Sequence, residues 1–256
     1  MQGYRSAFAR VYNQRWTGFA VQTAPLLYQH VESLLPPGAE RSLLDLCCGT
    51  GQLAAYFLER GYRVIGLDLS PAMLEYARVN NAAHIVAGQA LFIEGDAALF
   101  SLPEPVNVVI STFDALNHLP NLTALCSCFA SVRRALLPGG IFVFDLNTRL
   151  GLQRWNSITI EDSEELMLIN RGIFDPTSDK AFVRISGFVR LENGQFERFE
   201  EVVFNTVFDL NMVKAELISA GFEEIYFARG KALAQPVNDP EELERVFIIG
   251  RAPRSV

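Results

Sequence analysis

From residue 41 onward, the hydrophobic positions fall into short, unbroken runs separated by amphipathic stretches. The runs at 43–46, 63–68, 91–94, 106–111 and 141–145 are nearly continuous in Leu, Val, Ile and Phe. That is the pattern of strands buried on both faces. Between them, 50–60 reads as a helix. Another helix starts at Ser70-Pro71, with Ser as the cap and Pro in the first turn. The stretch 122–137 predicts a third helix, stopped by Pro138-Gly139-Gly140. Strand and helix alternating at this spacing predict an α/β fold, a Rossmann-like, doubly wound and mostly parallel sheet.

After Asp145 the texture changes. The segments 158–160, 165–170, 181–191 and 196–208 alternate like strands, with no helix between them. They predict an antiparallel β insertion after the fifth strand, a cap at about 150–208. The tetrapeptide Glu192-Asn193-Gly194-Gln195 predicts a type I′ hairpin turn. That turn pairs Arg190 with Glu197 and Phe188 with Phe199, and sets Glu200 opposite Gly187 with space before its carboxylate. A helix at 211–220, closed by Gly221, and strands near 224–228 and 246–250 complete the sheet. Ahead of it all, 4–35 reads as helical, with Phe8, Val11, Tyr12, Trp16 and Phe19 on one broad face, and ends at Pro36-Pro37-Gly38. The expected organisation is a helical lid segment at 1–40 and one domain at 41–256 carrying the cap.

Composition narrows the function. Half of the 256 residues are hydrophobic and 20% are charged, enough for a substantial core. The formal net charge is −7 and no basic run occurs, which argues against a nucleic-acid partner. Cys47 and Cys48 would point to opposite faces of a strand, and Cys126 and Cys128 diverge on a helix, so no metal site is expected. The thiols read as small core side chains in a reducing compartment. Residues 1–15 do not read as a signal peptide, and no apolar run approaches the roughly 20 residues of a membrane span. A soluble, cytoplasmic protein with no membrane partner is expected.

The candidate chemistry sits where the first strand breaks into Cys47-Cys48-Gly49-Thr50-Gly51. Glycines there let backbone approach a ligand, and the following helix N-terminus offers unpaired N–H groups. Asp68, ending the second strand, is placed for a ribose. A dinucleotide and S-adenosylmethionine both satisfy that much. Asp45 inside the first strand would repel pyrophosphate but suit a cationic ligand, and Asp96 beside Ala97 could accept from an adenine amino group. No Tyr-x-x-x-Lys pair of the nicotinamide reductases is present.

The stretches Leu43-Leu-Asp-Leu-Cys-Cys-Gly-Thr-Gly51, Val64-Ile-Gly-Leu-Asp-Leu-Ser-Pro-Ala-Met-Leu74, Gly95-Asp-Ala97 and Leu136-Leu-Pro-Gly-Gly140 resemble the class I S-adenosylmethionine-dependent methyltransferases. The resemblance implies that Asp45, Gly49 and Gly51 surround the methionine portion, Asp68 binds the ribose, Leu69 and Met73 flank the adenine, and Asp96 and Ala97 read its edge. Cys47 stands where that family usually has Gly. Phe113-Asp-Ala-Leu-Asn-His-Leu119 and Phe144-Asp-Leu-Asn-Thr148 are similar to a small-molecule subgroup with an antiparallel insertion after the fifth strand, in which Arg198-Phe-Glu-Glu201 has a counterpart. With the lid residue Tyr12, Ser111 at the end of the fourth strand and Phe113 just after it, these complete the expected cofactor set. Trp16, Asp114, Asn147, Arg198 and Glu200 form the expected acceptor set. His118 is the candidate base, since histidine changes protonation near neutrality. The implied activity is methyl transfer to N or O of a small molecule, leaving S-adenosylhomocysteine. A nicotinamide oxidoreductase and a non-catalytic S-adenosylmethionine-binding module stay open as alternatives, and an exposed face of the cap could pair two subunits.

Overall fold

The computed structural model describes residue 4 and residues 6–254. The chain opens with two helices, α1 (Ser6–Arg15) and α2 (Gly18–Leu34), where the periodicity predicted one. The break falls at Trp16-Thr17 before Gly18, where Thr and Gly are weak helix formers. Then come β1 (Ser42–Leu46), α3 (Gln52–Leu58), β2 (Arg63–Asp68), α4 (Pro71–Asn80), α5 (Ala82–Val86), β3 (Ala90–Glu94) and β4 (Val106–Ser111). A one-turn helix (Ala115–His118) leads to α6 (Leu122–Ala135), β5 (Leu136–Asn147) and α7 (Arg149–Gln153). The cap is β6 (Ile158–Asp162), β7 (Leu166–Asp175), β8 (Lys180–Arg190) and β9 (Phe196–Thr206). The chain returns through α8 (Leu210–Ser219), β10 (Glu223–Arg229), β11 (Ala232–Pro236) and β12 (Arg245–Arg251).

The main sheet has eight strands in the order β11-β10-β12-β5-β4-β1-β2-β3, parallel from β5 to β3 and antiparallel beyond. Every residue of β1 is buried. Its side chains alternate: Leu44 and Leu46 join Phe129, Phe142 and Phe144 on one face, while Leu43 joins Leu27, Val31 and Phe57 on the other. Ser70 caps α4 as its sequence predicts, its Oγ accepting from the N–H of Met73 at 3.3 Å. Pro138-Gly139-Gly140 does not end α6. The helix stops at Ala135, and the tripeptide forms a bulge inside β5, where the register jumps from Val106↔Leu136 to Val108↔Ile141. The short edge strand β11 had no clear signal in the sequence.

The cap is a separate antiparallel sheet in the order β6-β7-β8-β9. Its hairpin differs from the predicted one by a single residue. Arg190 pairs with Phe196 and Gly187 with Phe199, not with Glu197 and Glu200. The loop has three residues rather than two: Leu191 donates to the carbonyl of Gln195 at 2.7 Å, and only Gly194 takes a positive φ, +78°. A slip of one residue on one strand turns that strand's side chains over. Phe199 therefore faces inward against Phe8, Leu166 and Val189. Arg198 and Glu200 face outward.

Helix α1 lies between this inner face and α4. Phe8, Ala9 and Val11 pack with Leu168 and Ile185 of the cap and with Met73 of α4. Arg10 bonds Glu197 at 3.3 Å and Arg15 bonds Glu161 at 3.2 Å, one contact on each edge strand of the cap. None of the described helices is long and apolar enough to cross a membrane.

Candidate active site

A cavity of about 590 Å³ opens at the carboxyl ends of β1, β2, β4 and β5, closed by α1 and the cap. This is where an open α/β sheet binds ligands, and the volume suits a small-molecule site.

The first wall is the turn after β1. Cys47, Gly49 and Gly51 all take left-handed φ angles of +62°, +53° and +79°. Cys47 thus occupies a conformation that favours glycine, which explains why Gly is usual there in the resembling family. Gly49 N–H donates to Asp68 Oδ2 at 2.8 Å, and Ser70 N–H donates to Oδ1 at 2.9 Å. Asp68 joins the turn to the start of α4. Burial raises its pKa, against the pull of those two N–H groups. Beneath the turn, Asp45 is buried, accepts from Ala54 N–H at 3.1 Å, and is pushed up to about 7 by burial.

The second wall is the lid. A Cβ on Gly49 would stand 3.6 Å from the ring of Tyr12, so α1 lies directly over the turn. Asn13 receives bonds from Gln52 and Asn80, and Ser70 Oγ donates to the carbonyl of Tyr4. Burial lifts the Tyr12 phenol above its usual range, keeping it a neutral donor.

The third wall is the end of β4. Phe113 and Asp114 take φ angles of +65° and +50°. Phe113 stacks on Phe19, with centroids 4.7 Å apart and planes at 17°. His118 ends the one-turn helix that follows, and its Nδ1 sits 2.7 Å from the carbonyl of Phe204 in the cap. A carbonyl only accepts, so Nδ1 carries the proton and Nε2 is the nitrogen left for the cavity that His118 lines.

Of the residues expected from sequence, Tyr12, Trp16, Cys47, Gly49, Asp68, Leu69, Met73, Phe113, Asp114, His118 and Asn147 line this cavity together. Asp45, Gly51, Asp96, Ala97 and Ser111 do not. Asp45 and Gly51 shape the turn from below. Ser111 is buried in β4, Ala97 is buried, and exposed Asp96 caps its own turn by accepting from Ala98 N–H at 2.8 Å.

Arg198 and Glu200 are corrections. Glu200 bonds Arg184 at 2.8 Å and Arg198 at 2.7 Å on the outer face of the cap, because of the hairpin register. The hydrogen bond from Arg184, with help from Arg198, holds its carboxyl below the usual range.

Sequence reasoning missed Arg245, Trp155 and Phe204, which line the cavity, and the functional setting of Asp145. The available signal was Asp145 ending one strand and Arg245 starting the last, which pair antiparallel.

Residues 43–140 match the family model described as a methyltransferase domain, and that span holds the turn, Asp68 and His118. Most of the chain aligns with YqeM of Bacillus subtilis (strain 168), provisionally named a methyltransferase: 27% identity over 226 residues, 79% of this chain and 88% of the relative. The chain carries a methyltransferase domain. The methyltransferase shares its fold with a solved S-adenosylmethionine-dependent methyltransferase from Clostridium acetobutylicum ATCC 824, at a TM-score of 0.80 and 19% identity over 96% of this chain and 98% of the other. It also shares its fold with the sugar N-methyltransferase KedS8 from Streptoalloteichus sp ATCC 53650, at a TM-score of 0.76 and 22% identity over 99% and 95%. Neither a nicotinamide oxidoreductase nor a non-catalytic module finds support among these matches.

The geometry of the methyltransferase site fits S-adenosylmethionine. The turn keeps Gly49 free of a Cβ where its backbone faces the Tyr12 ring, and the carboxylate of Asp68 borders the same space. Leu69 and Met73 add apolar surface beside it.

Proposed function

We propose that this methyltransferase moves the methyl group of S-adenosylmethionine to N or O of a small-molecule acceptor held between the sheet edge and the cap. When bound, the cofactor supplies a methyl group already activated on a sulfonium. The chain's own residues therefore need to bind, align and exclude water. Asp68 would hold the ribose hydroxyls, Leu69 and Met73 the adenine, and Cys47, Gly49 and Tyr12 the methionine end, with Phe113 closing over it. Asp45 would act through the turn it supports, and Asp96 and Ala97 would flank the adenine from outside the cavity wall. Trp16, Asp114 and Asn147 would position the acceptor.

His118 would take the acceptor's proton. The observation that carries this is its hydrogen bond to the Phe204 carbonyl, which leaves Nε2 for the cavity. A proton from N–H or O–H has nowhere else as well prepared to go.

A small-molecule acceptor is supported by the size of the cavity, about 590 Å³, and by the likeness to KedS8, a sugar N-methyltransferase. The net charge of −7 disfavours nucleic acid. The free cysteines suit a reducing, cytoplasmic setting. On the cap's outer face, Ile158, Ile160, Phe188, Phe196 and Val202 are between 42% and 65% exposed. Arg184, Arg198 and Glu200 give the same face both signs of charge, so a second copy related by twofold symmetry would meet a complementary surface.

The test is transfer of labelled methyl from S-adenosylmethionine to a panel of amino sugars, alkylamines and phenols. Label appearing in a panel member or in an extract metabolite supports the reading. No transfer to either, together with no binding of S-adenosylhomocysteine, would defeat it.

A further inference from the structure

Arg245 opens β12 and pairs across the ladder with Asn147, so its long side chain reaches diagonally back to Asp145, two positions along β5. There the guanidinium forks between two acids from different strand ends. Nη2 donates to Asp114 Oδ1 at 2.6 Å, and Nη1 donates to Asp145 Oδ2. The same Asp145 oxygen accepts the backbone N–H of Asp114 at 3.2 Å. The guanidinium also lies 5.0 Å from the ring centroid of Phe19 and 5.7 Å from that of Phe113.

What this assembly holds is strained. Phe113 and Asp114 are consecutive non-glycine residues with left-handed φ angles. Two such residues in a row persist only where their surroundings over-determine them. The strained pair also sets a direction. Asp114 starts the one-turn helix Ala115–His118, and Asn117 N–H returns to its carbonyl at 2.9 Å. Turning Asp114 out of this conformation would swing the exit of that helix and carry His118 away from Phe204.

Stability alone is a poor reason for burying this cluster. Burying an ion pair costs desolvation that its attraction only just repays. Here one guanidinium serves two carboxylates, and Asp145 Oδ1 is left without a partner. The fork geometry, which Arg supplies and Lys cannot, is what the site uses.

We propose that Arg245 is a positioning residue for methyl transfer: through Asp114 it holds the Phe113–Asp114 turn in the conformation that aims His118 into the cavity. The proposal rests on the methyltransferase reading with His118 as proton acceptor.

It can be tested before the acceptor is known. The chain has three histidines, His30, His84 and His118, so histidine-labelled protein gives three imidazole signals by NMR. His118 is assigned by its loss in His118→Gln. In the wild type bound to S-adenosylhomocysteine, His118 should be the Nδ1–H tautomer. In Arg245→Met, that fixed tautomer should be lost while His30 and His84 keep their shifts. Arg245→Lys, which keeps the charge and is the variant to read if Arg245→Met does not fold, should lose the fixed tautomer too. An unchanged His118 signal in the folded variants overturns the proposal, as do equal changes in all three histidines, which would mark Arg245 as a general structural residue. Failure of the wild type to bind S-adenosylhomocysteine would instead strike the underlying reading.

Discussion

The Nδ1 atom of His118 lies 2.7 Å from the backbone carbonyl oxygen of Phe204, a bond between the edge of the main sheet and the cap. It assigns the tautomer and ties the orientation of His118 to the cap. His118→Gln should therefore lower turnover by about 10²-fold or more. S-adenosylhomocysteine affinity, read by calorimetry, should be unchanged. Equal turnover across pH would remove His118 as the base.

Asp68 accepts from two backbone N–H groups and borders the cavity. Asp68→Asn keeps the shape but replaces one acceptor oxygen with a donor and removes the charge. Cofactor affinity should fall by about 2 kcal/mol, roughly 30-fold. An unaltered dissociation constant for S-adenosylhomocysteine would exclude Asp68 from the binding site.

Asp45 is pushed up to about 7 by burial, well above an unfolded aspartate. The folded state then holds a proton that the unfolded chain has released between about pH 4 and 7. The part of stability due to Asp45 is fully present below that window and is lost as pH rises through it. Asp45→Asn can still accept from Ala54 N–H and carries no charge. Denaturant unfolding at about pH 5 and pH 8 should show a smaller loss in Asp45→Asn than in the wild type. Equal losses would mean that Asp45 is ionised throughout.

Glu200 is turned away from the cavity and engaged by two arginines. Glu200→Gln should leave the acceptor's Michaelis constant and the melting temperature unchanged. A raised Michaelis constant would show that the hairpin register is different in solution.

The exposed apolar residues on the cap's outer face predict a dimer at micromolar concentration, measured by light scattering. The double substitution Ile160→Lys with Phe196→Lys should yield a folded monomer. A monomeric wild type would refute cap-to-cap pairing.

Much of this molecule is written locally. The continuous apolar run 43–46, the glycines after it and the Ser70-Pro71 start each predict their element, because burial pattern, turn chemistry and capping act over a few residues. The same short-range logic marked Asp68, Gly49 and His118, which the structure brings to one cavity. It failed where one residue of register decides the outcome. Leu191 and Gln195 close a three-residue turn, and that alone puts Glu200 on the opposite face.

It also had no access to Arg245, whose two acids lie 100 and 131 residues away in the chain. The sequence by itself determined the strands, the glycine turn and the kind of cofactor they suit. Only the tertiary structure decided which side chains meet in one cavity. The physical reason is that periodicity specifies which face of an element is buried, whereas sheet order and register specify what that face touches.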